Sequence, residues 1–513
     1  MTATFTEAAT LPELLRARAA ELGSAGFVRR AGERLSYAEF DARTDATAAG
    51  LHELGVRQGD VVSVYAGNSI EYLEAWWATV KLGAVFGPVN NQFTAQEAAF
   101  VIADSGAVVA FCDSDCAAKL ATVRDSLPAL RDVLLLGGEG EGARLSDLRG
   151  GGADPPRPAI QPHDLAALVY TSGTTGKPKG AMLTHASYLA DTTGLAELLP
   201  ARRGDRLGMI LPLFHVNAQV ATTLTPIVVG AEIAMWETFS ASSFWATVAE
   251  HRPITFSCVP TILAALLYAP GADEADTSSL EYVICGAAPL SRALFERFES
   301  KFGLRILEGY GLTEGTCVST LNPYWGPRKV GSIGLPLRGQ KVVPVNADGA
   351  ALEPGEPGEL AIQGPNLMLG YYQSPAATAN TLRHGWLRTG DVGYVDEDGY
   401  LFLVDRVKDM IIRGGENIYP REVEEALASH PDVREAAVVG RPDEVRGEEV
   451  HAAVVLTDSA TATADELTDH CRAALARYKV PSSFDFRLDL PRTATGKVDK
   501  KVLRAELEDA AVS

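Results

Sequence analysis

The sequence predicts an α/β protein. A large N-terminal domain of layered α/β subdomains, with a small antiparallel β region, precedes a C-terminal α+β domain. Three observations lead there. From about residue 36, helix-period and strand-like segments alternate, the pattern of parallel sheets covered by helices. Between Gly331 and Tyr400 the texture changes to short apolar runs punctuated by "NADG", "PGEPGE" and "DEDG", which are turn signals between antiparallel strands. The chain's 513 residues are too many for one compact core, and the 46% that are hydrophobic suffice to fill at least two.

In chain order, Phe40, Ala48, Leu51 and Leu54 mark one helical face. "DVVSVYAG" reads as a short buried strand. The helix after it carries Ile70, Leu73, Trp77 and Val80 on one side, with Gly83 placed to end it. "AVVAFC", "ITFSCV" and "LEYVIC" repeat the strand signal, each beside a helix-like segment. The apolar stretch from Met209 to Trp236 is interrupted by His215, Asn217, Gln219 and two prolines, which fits a buried site better than a membrane span. No run of about 18 apolar residues occurs elsewhere. "VDRVKDMIIRGGENIYPREVEEALASH" reads as a strand, a glycine-rich loop and a helix opening at Pro420. "EAAVVG" and "VHAAVVL" follow as strands, then a helix near 464–477. A boundary close to Asp405 to Asp409 divides the chain into 1–405 and 406–513.

A formal charge of -20 argues against a general nucleic-acid binder, so any anionic ligand must meet locally placed Lys and Arg. The first residues lack an apolar core preceded by positive charge, and a cytoplasmic location is the expectation. Six scattered cysteines form neither a disulfide framework nor a zinc pattern, since Cys112 and Cys116 have no second pair to complete a site.

"YTSGTTGKPKG", residues 170 to 180, concentrates glycines, hydroxyls and lysines behind an apolar run. It is not the kinase and ATPase loop, because two residues separate Gly173 from Gly176 and Pro178 stands where a hydroxyl would meet Mg²⁺. Taken alone it reads as an ordinary flexible turn. Four further motifs follow it: "GYGLTE" at 309–314, "GWLRTGD" at 385–391, "DRVKDMIIRGGENIYP" at 405–420 and "PRTATGK" at 491–497. With these five in order, nearly the whole chain resembles the adenylate-forming superfamily of acyl and aryl coenzyme A ligases, firefly luciferase and peptide-synthetase adenylation domains.

The resemblance implies an ATP-dependent acyl-CoA synthetase using ATP, Mg²⁺ and coenzyme A. It would activate a carboxylic acid as acyl-AMP, pass the acyl group to coenzyme A and release AMP and pyrophosphate. Thr171, Ser172, Gly173, Thr174, Thr175 and Gly176 would then offer hydroxyls and backbone N–H groups to the phosphates, with Lys179 as compensating charge. Gly286, Ala287 and Ala288 match an adenine- and acyl-contacting strand end, and Glu308, Gly309, Tyr310 and Gly311 a nucleotide-binding one, with the Tyr310 ring against adenine. Thr313 is implied as an α-phosphate contact and Glu314 as the Mg²⁺ ligand. Asp391 would accept from the ribose hydroxyls, Arg406 would meet the ribose or phosphate, and Lys497 would bridge the substrate carboxylate and the α-phosphate. His215, Asn217 and Gln219, with Gly286 and Gly311, are the implied acyl pocket, and Trp236 and Val259 its neighbours. Lys408 matches the hinge of a mobile C-terminal domain, and Gly414 and Gly415 the thiol tunnel. Ile412 and Gly414 stand where several plant aryl ligases place lysines, so coenzyme A contacts do not transfer directly. A carrier-protein acceptor, a single half-reaction of a split system, oxidative luciferase chemistry and a non-catalytic nucleotide-binding protein stay open as alternatives. The acid and the oligomeric state are not encoded legibly.

Overall fold

The computed structural model describes residues 7–138, 142–150, 155–171, 178–406, 409–414, 416–443, 446–457, 460–492 and 498–512. Among them the strands form four sheets. One has six strands in the order Asp132–Leu135, Val109–Cys112, Val61–Tyr65, Val85–Val89, Leu165–Thr171 and Lys179–Thr184. All run parallel except the last, which returns antiparallel to Leu165–Thr171. Val61–Tyr65 is buried at every residue, as its unbroken apolar pattern requires.

The second sheet has nine strands. Its parallel centre runs Arg305–Tyr310, Tyr282–Cys285, Thr255–Cys258, Arg206–Met209, Glu232–Met235 and Gly26–Arg30, and short antiparallel strands finish both edges. Val62, Val64 and Phe86 from the first sheet share one core with Met209, Ile233 and Tyr282 from the second. Helix Ile70–Lys81 lies within that core and is buried on nearly every side, not only on the face read from the sequence. Trp76 stacks on Phe86 at 5.0 Å between centroids, and the buried Lys81 ammonium is held by Asp41 and Asp45 at 2.6 Å each.

The antiparallel region is a five-stranded sheet whose longest member, Trp386–Val395, pairs with Gly358–Gln363 on one side and Leu401–Arg406 on the other. A separate sheet follows in the C-terminal domain. Val433–Asp443 and Gly447–Leu456 pair antiparallel, and Ser483–Arg487 joins the latter in parallel. Helix Pro420–Ala428 opens at the proline, whose missing N–H and fixed φ suit a helix start. It has no side-chain cap from its own N-cap residue Tyr419. Instead Asp405, at the end of the preceding sheet, accepts the Arg421 N–H at 2.8 Å. Helix Ala464–Ala474 begins with a Thr463/Glu466 capping box and stops short of the expected 477, where Arg477–Lys479 tightens into a 3₁₀ turn. All six cysteines are buried free thiols, and among the described residues no helix is long and apolar enough to cross a membrane.

Candidate active site

The candidate residues collect where parallel strands end, the edge at which such sheets leave room for a ligand. Leu165–Thr171 delivers Thr171, Tyr282–Cys285 leads into Gly286 and Ala287, and Arg305–Tyr310 ends on Tyr310. Two glycines are dictated by crowding. A Cβ on Gly286 would lie 2.7 Å from the Gly309 carbonyl oxygen, and one on Gly311 would lie 1.7 Å from that of Cys317. Ala287 and Thr316 adopt left-handed φ values of 66° and 67°, and Thr316 is held there by its hydroxyl, which donates to the Asn366 carbonyl at 2.6 Å. Ala288 follows directly on this strained turn.

Two polar clusters lie beside these strand ends and draw on three different sheets. In one, Asp391 accepts from the Tyr310 hydroxyl at 2.6 Å through Oδ2 and from Arg406 Nε at 2.7 Å through Oδ1. Asp391 and Arg406 face each other across paired strands, so sheet register sets their contact. Burial opposes the Arg406 charge, but Asp391 outweighs it and raises the guanidinium pKa. Burial, then the Asp391 charge, raises the Tyr310 phenol well above its usual range, so it stays a donor. A carboxylate has about four acceptor sites, so both oxygens keep capacity for ligand hydroxyls.

In the other cluster, Glu314 Oε1 accepts from the Tyr371 hydroxyl at 2.7 Å and from Thr171 Oγ1 at 3.3 Å. Lys179 Nζ lies 5.5 Å from the Tyr371 ring centroid, and Thr313 begins the 3₁₀ turn that carries Glu314. Among the described residues, Glu314 Oε2 takes no hydrogen bond and no group of three or more His, Cys, Asp or Glu could hold a metal ion. That donor set fits Mg²⁺ shared between one carboxylate and the phosphates of a nucleotide.

His215 precedes the short helix Val216–Gln219, its ring 4.5 Å from that of Phe214, and Asn217 Oδ1 is buried without a hydrogen-bond partner among the described residues. Gln219 departs from the expectation. It is fully buried, its Oε1 accepting from the Tyr188 hydroxyl at 2.5 Å and its Nε2 donating to the Leu213 carbonyl at 2.9 Å. At about 100° per helical residue, positions 217 and 219 cannot share a face, and Gln219 is the one that braces the core. Trp236 likewise packs into the core, stacked on Phe244 at 5.8 Å. Glu308 is another departure: its carboxyl is buried, its Oε2 has no hydrogen-bond partner among the described residues, and it lies near Arg421 and Glu425. Burial is the main cause that raises its pKa to about 7.

Gly414 has φ 61° and donates its N–H to the Arg446 carbonyl at 2.7 Å. Ser172, Gly173, Thr174, Thr175, Gly176, Lys408, Gly415 and Lys497 lie outside the described residues. Sequence reasoning missed Tyr371, which only the fold brings to Glu314, and Asp191, whose buried carboxyl accepts from Val318 N at 2.9 Å and Gln340 Nε2 at 3.0 Å behind the Glu314 turn.

Known proteins resemble this chain along nearly its whole length. The family model described as AMP-binding enzyme matches residues 15–372, and that of the AMP-binding enzyme C-terminal domain matches 422–497. A feruloyl-CoA synthase of Amycolatopsis is 38% identical, over 93% of this chain and 95% of its own. A long-chain fatty acid–CoA ligase of Mycobacterium tuberculosis is 35% identical, over 92% and 93%. The ATP-bound structure of MatB from Rhodopseudomonas palustris superposes with a TM-score of 0.90 at 31% identity, over 97% of this chain and 99% of that one.

Proposed function

The chain belongs to the AMP-binding enzyme family, and from that membership we propose how its own residues divide the work. The protein is an ATP-dependent, AMP-forming acyl-CoA synthetase. In the first half-reaction a carboxylate oxygen bonds to the α-phosphorus of ATP, the bond to the bridging oxygen breaks, and pyrophosphate leaves with that electron pair. In the second, the coenzyme A sulfur gives up its proton and bonds to the acyl carbon, and AMP leaves with the electrons of the broken acyl–oxygen bond.

The observation that carries the reading is that two anchored carboxylates, Asp391 bonded to Tyr310 and Glu314 on the turn just beyond it, flank the end of strand Arg305–Tyr310. Asp391 takes the ribose hydroxyls with Arg406 beside it, and Tyr310 offers its ring to the adenine. Thr171, the loop 172–176 and Lys179 receive the triphosphate, and Thr313 meets the α-phosphate. Glu314 would hold Mg²⁺, which when bound would supply charge neutralisation at the phosphates. The Lys497 ammonium holds the carboxylate and the α-phosphate together against their repulsion. His215 and Asn217 border the acyl group, with Gly286 and Gly311 leaving it room. The unpartnered Asn217 Oδ1 supports that assignment. The C-terminal domain beyond Lys408 turns about that residue between the half-reactions, bringing Gly414 and Gly415 to the thiol. A cytoplasmic setting accords with ATP and coenzyme A as co-substrates and with six free thiols.

The test is ATP–pyrophosphate exchange across a panel of aromatic, fatty and short dicarboxylic acids, followed by thioester formation with coenzyme A or a carrier protein. Acid-dependent exchange and a coenzyme A thioester are expected. Lys497→Ala loses exchange by about 100-fold or more but still makes thioester from supplied acyl-AMP, because its charge acts on the first transition state. Equal losses in the two steps would remove that role from Lys497.

A further inference from the structure

We propose that Tyr371 is a positioning residue for metal–nucleotide binding: its hydroxyl aims the Glu314 carboxylate while its ring seats the Lys179 ammonium. The inference rests on the reading of Glu314 as the Mg²⁺ ligand and Lys179 as a phosphate partner.

Glu314 and Lys179 carry opposite charges on either side of Tyr371, yet among the described residues they form no ion pair with each other. Tyr371 touches both. Its phenol donates to Glu314 Oε1 at 2.7 Å, and its ring centroid lies 5.5 Å from Lys179 Nζ. A carboxylate collapsed onto the ammonium would neutralise the two charges that a Mg²⁺–triphosphate needs separately. A phenol on Oε1 instead leaves Oε2 available, and a π face holds a cation without using up its N–H donors as a carboxylate would.

The segment that carries this side chain is well fixed. Residues 369–372 run along Lys179–Thr184: Met182 N donates to the Gly370 carbonyl at 3.0 Å, Leu369 N to that of Met182 at 2.9 Å, and Tyr372 N to that of Gly180 at 2.8 Å. Met368 N donates to the carbonyl of Glu314 itself at 2.9 Å, and Tyr371 N to Thr378 Oγ1 at 2.9 Å. Gly370 permits the turn: its φ is 144°, and a Cβ there would lie only 2.6 Å from Thr378 Cγ2. One short segment is thus tied to the Glu314 backbone and to the strand that begins at Lys179.

The experiment measures calorimetric binding of α,β-methylene-ATP, which cannot be cleaved at the scissile position, to the full chain with and without Mg²⁺. Tyr371→Phe keeps the ring and should leave metal-free affinity within about twofold, while cutting the gain from Mg²⁺ by about tenfold, the scale of one hydrogen bond to a charged group. Tyr371→Leu removes the ring as well and should also weaken metal-free binding, by about threefold, a loss that Tyr371→Phe restores. Thermal melts establish that each variant is folded, and Tyr371→Phe carries the test if Tyr371→Leu is not. Glu314→Gln is run in parallel. A lost Mg²⁺ gain in Glu314→Gln with a parental gain in Tyr371→Phe would overturn the role of Tyr371 alone. A full Mg²⁺ gain in Glu314→Gln would overturn the metal reading beneath it.

Discussion

Glu308 shows how the chemistry of one side chain depends on where the fold puts it. The motif "EGYGLTE" gave no hint that its first acid would be 4% exposed, because burial is decided by the packing of residues distant in sequence. Its carboxyl titrates near 7 instead of 4.5, so the fold favours the protonated form. The stability this group contributes is complete below about 4.5 and is lost as the pH rises through about 7. A tenfold change in ionisation is worth about 1.4 kcal/mol, so the charged form is carried at a cost of roughly 3 kcal/mol. Glu308→Gln keeps the size and shape of the side chain without the charge. Melting temperatures should therefore show the variant more stable than the parent at pH 8 and equal to it near pH 5; equal differences at both pH values would mean that the carboxyl is not titrating in the fold. Asp391 and Glu314 were legible for the opposite reason, since their motif positions named them before any geometry was known.

Segments with strong local signals were read well from sequence. The buried strand Val61–Tyr65, the helix beginning at Pro420 and the pair Val433–Asp443 and Gly447–Leu456 follow from apolar runs, a proline and turn residues close together in the chain. The strap formed by residues 369–372 was not legible, because its partners lie near residue 180 and no local pattern announces a pairing across that distance. Nor was the crowding after Arg305–Tyr310, where the chain turns so tightly that Gly311 packs against the Cys317 backbone. A methyl group there meets backbone, which cannot swing aside. Gly311→Ala should shift the turn between Tyr310 and Thr313 and lower ATP–pyrophosphate exchange by about 100-fold, the loss that a misplacement of about an ångström causes. Exchange at the parental rate in a folded variant would show that the turn tolerates the added atom.

At the scale of the whole molecule, the proposed mechanism needs the C-terminal domain in two orientations. Lys408→Pro fixes φ near roughly -65° and removes an N–H at the proposed pivot, while leaving the nucleotide-binding residues intact. A chemical-quench time course should show pyrophosphate released in a first turnover, acyl-AMP accumulating on the protein and thioester formation slowed much more. Thioester at the parental rate would show that the domain does not pivot there. Asp405 adds a consequence of its own. It belongs to the sheet on one side of that pivot but closes the end of a helix on the other, so a turning domain must pull the Arg421 N–H off its carboxylate. Such a contact behaves as a detent. Worth about 1 kcal/mol, it lengthens the dwell in one orientation about fivefold without locking it, which suits a part that must move once per catalytic cycle and hold still in between.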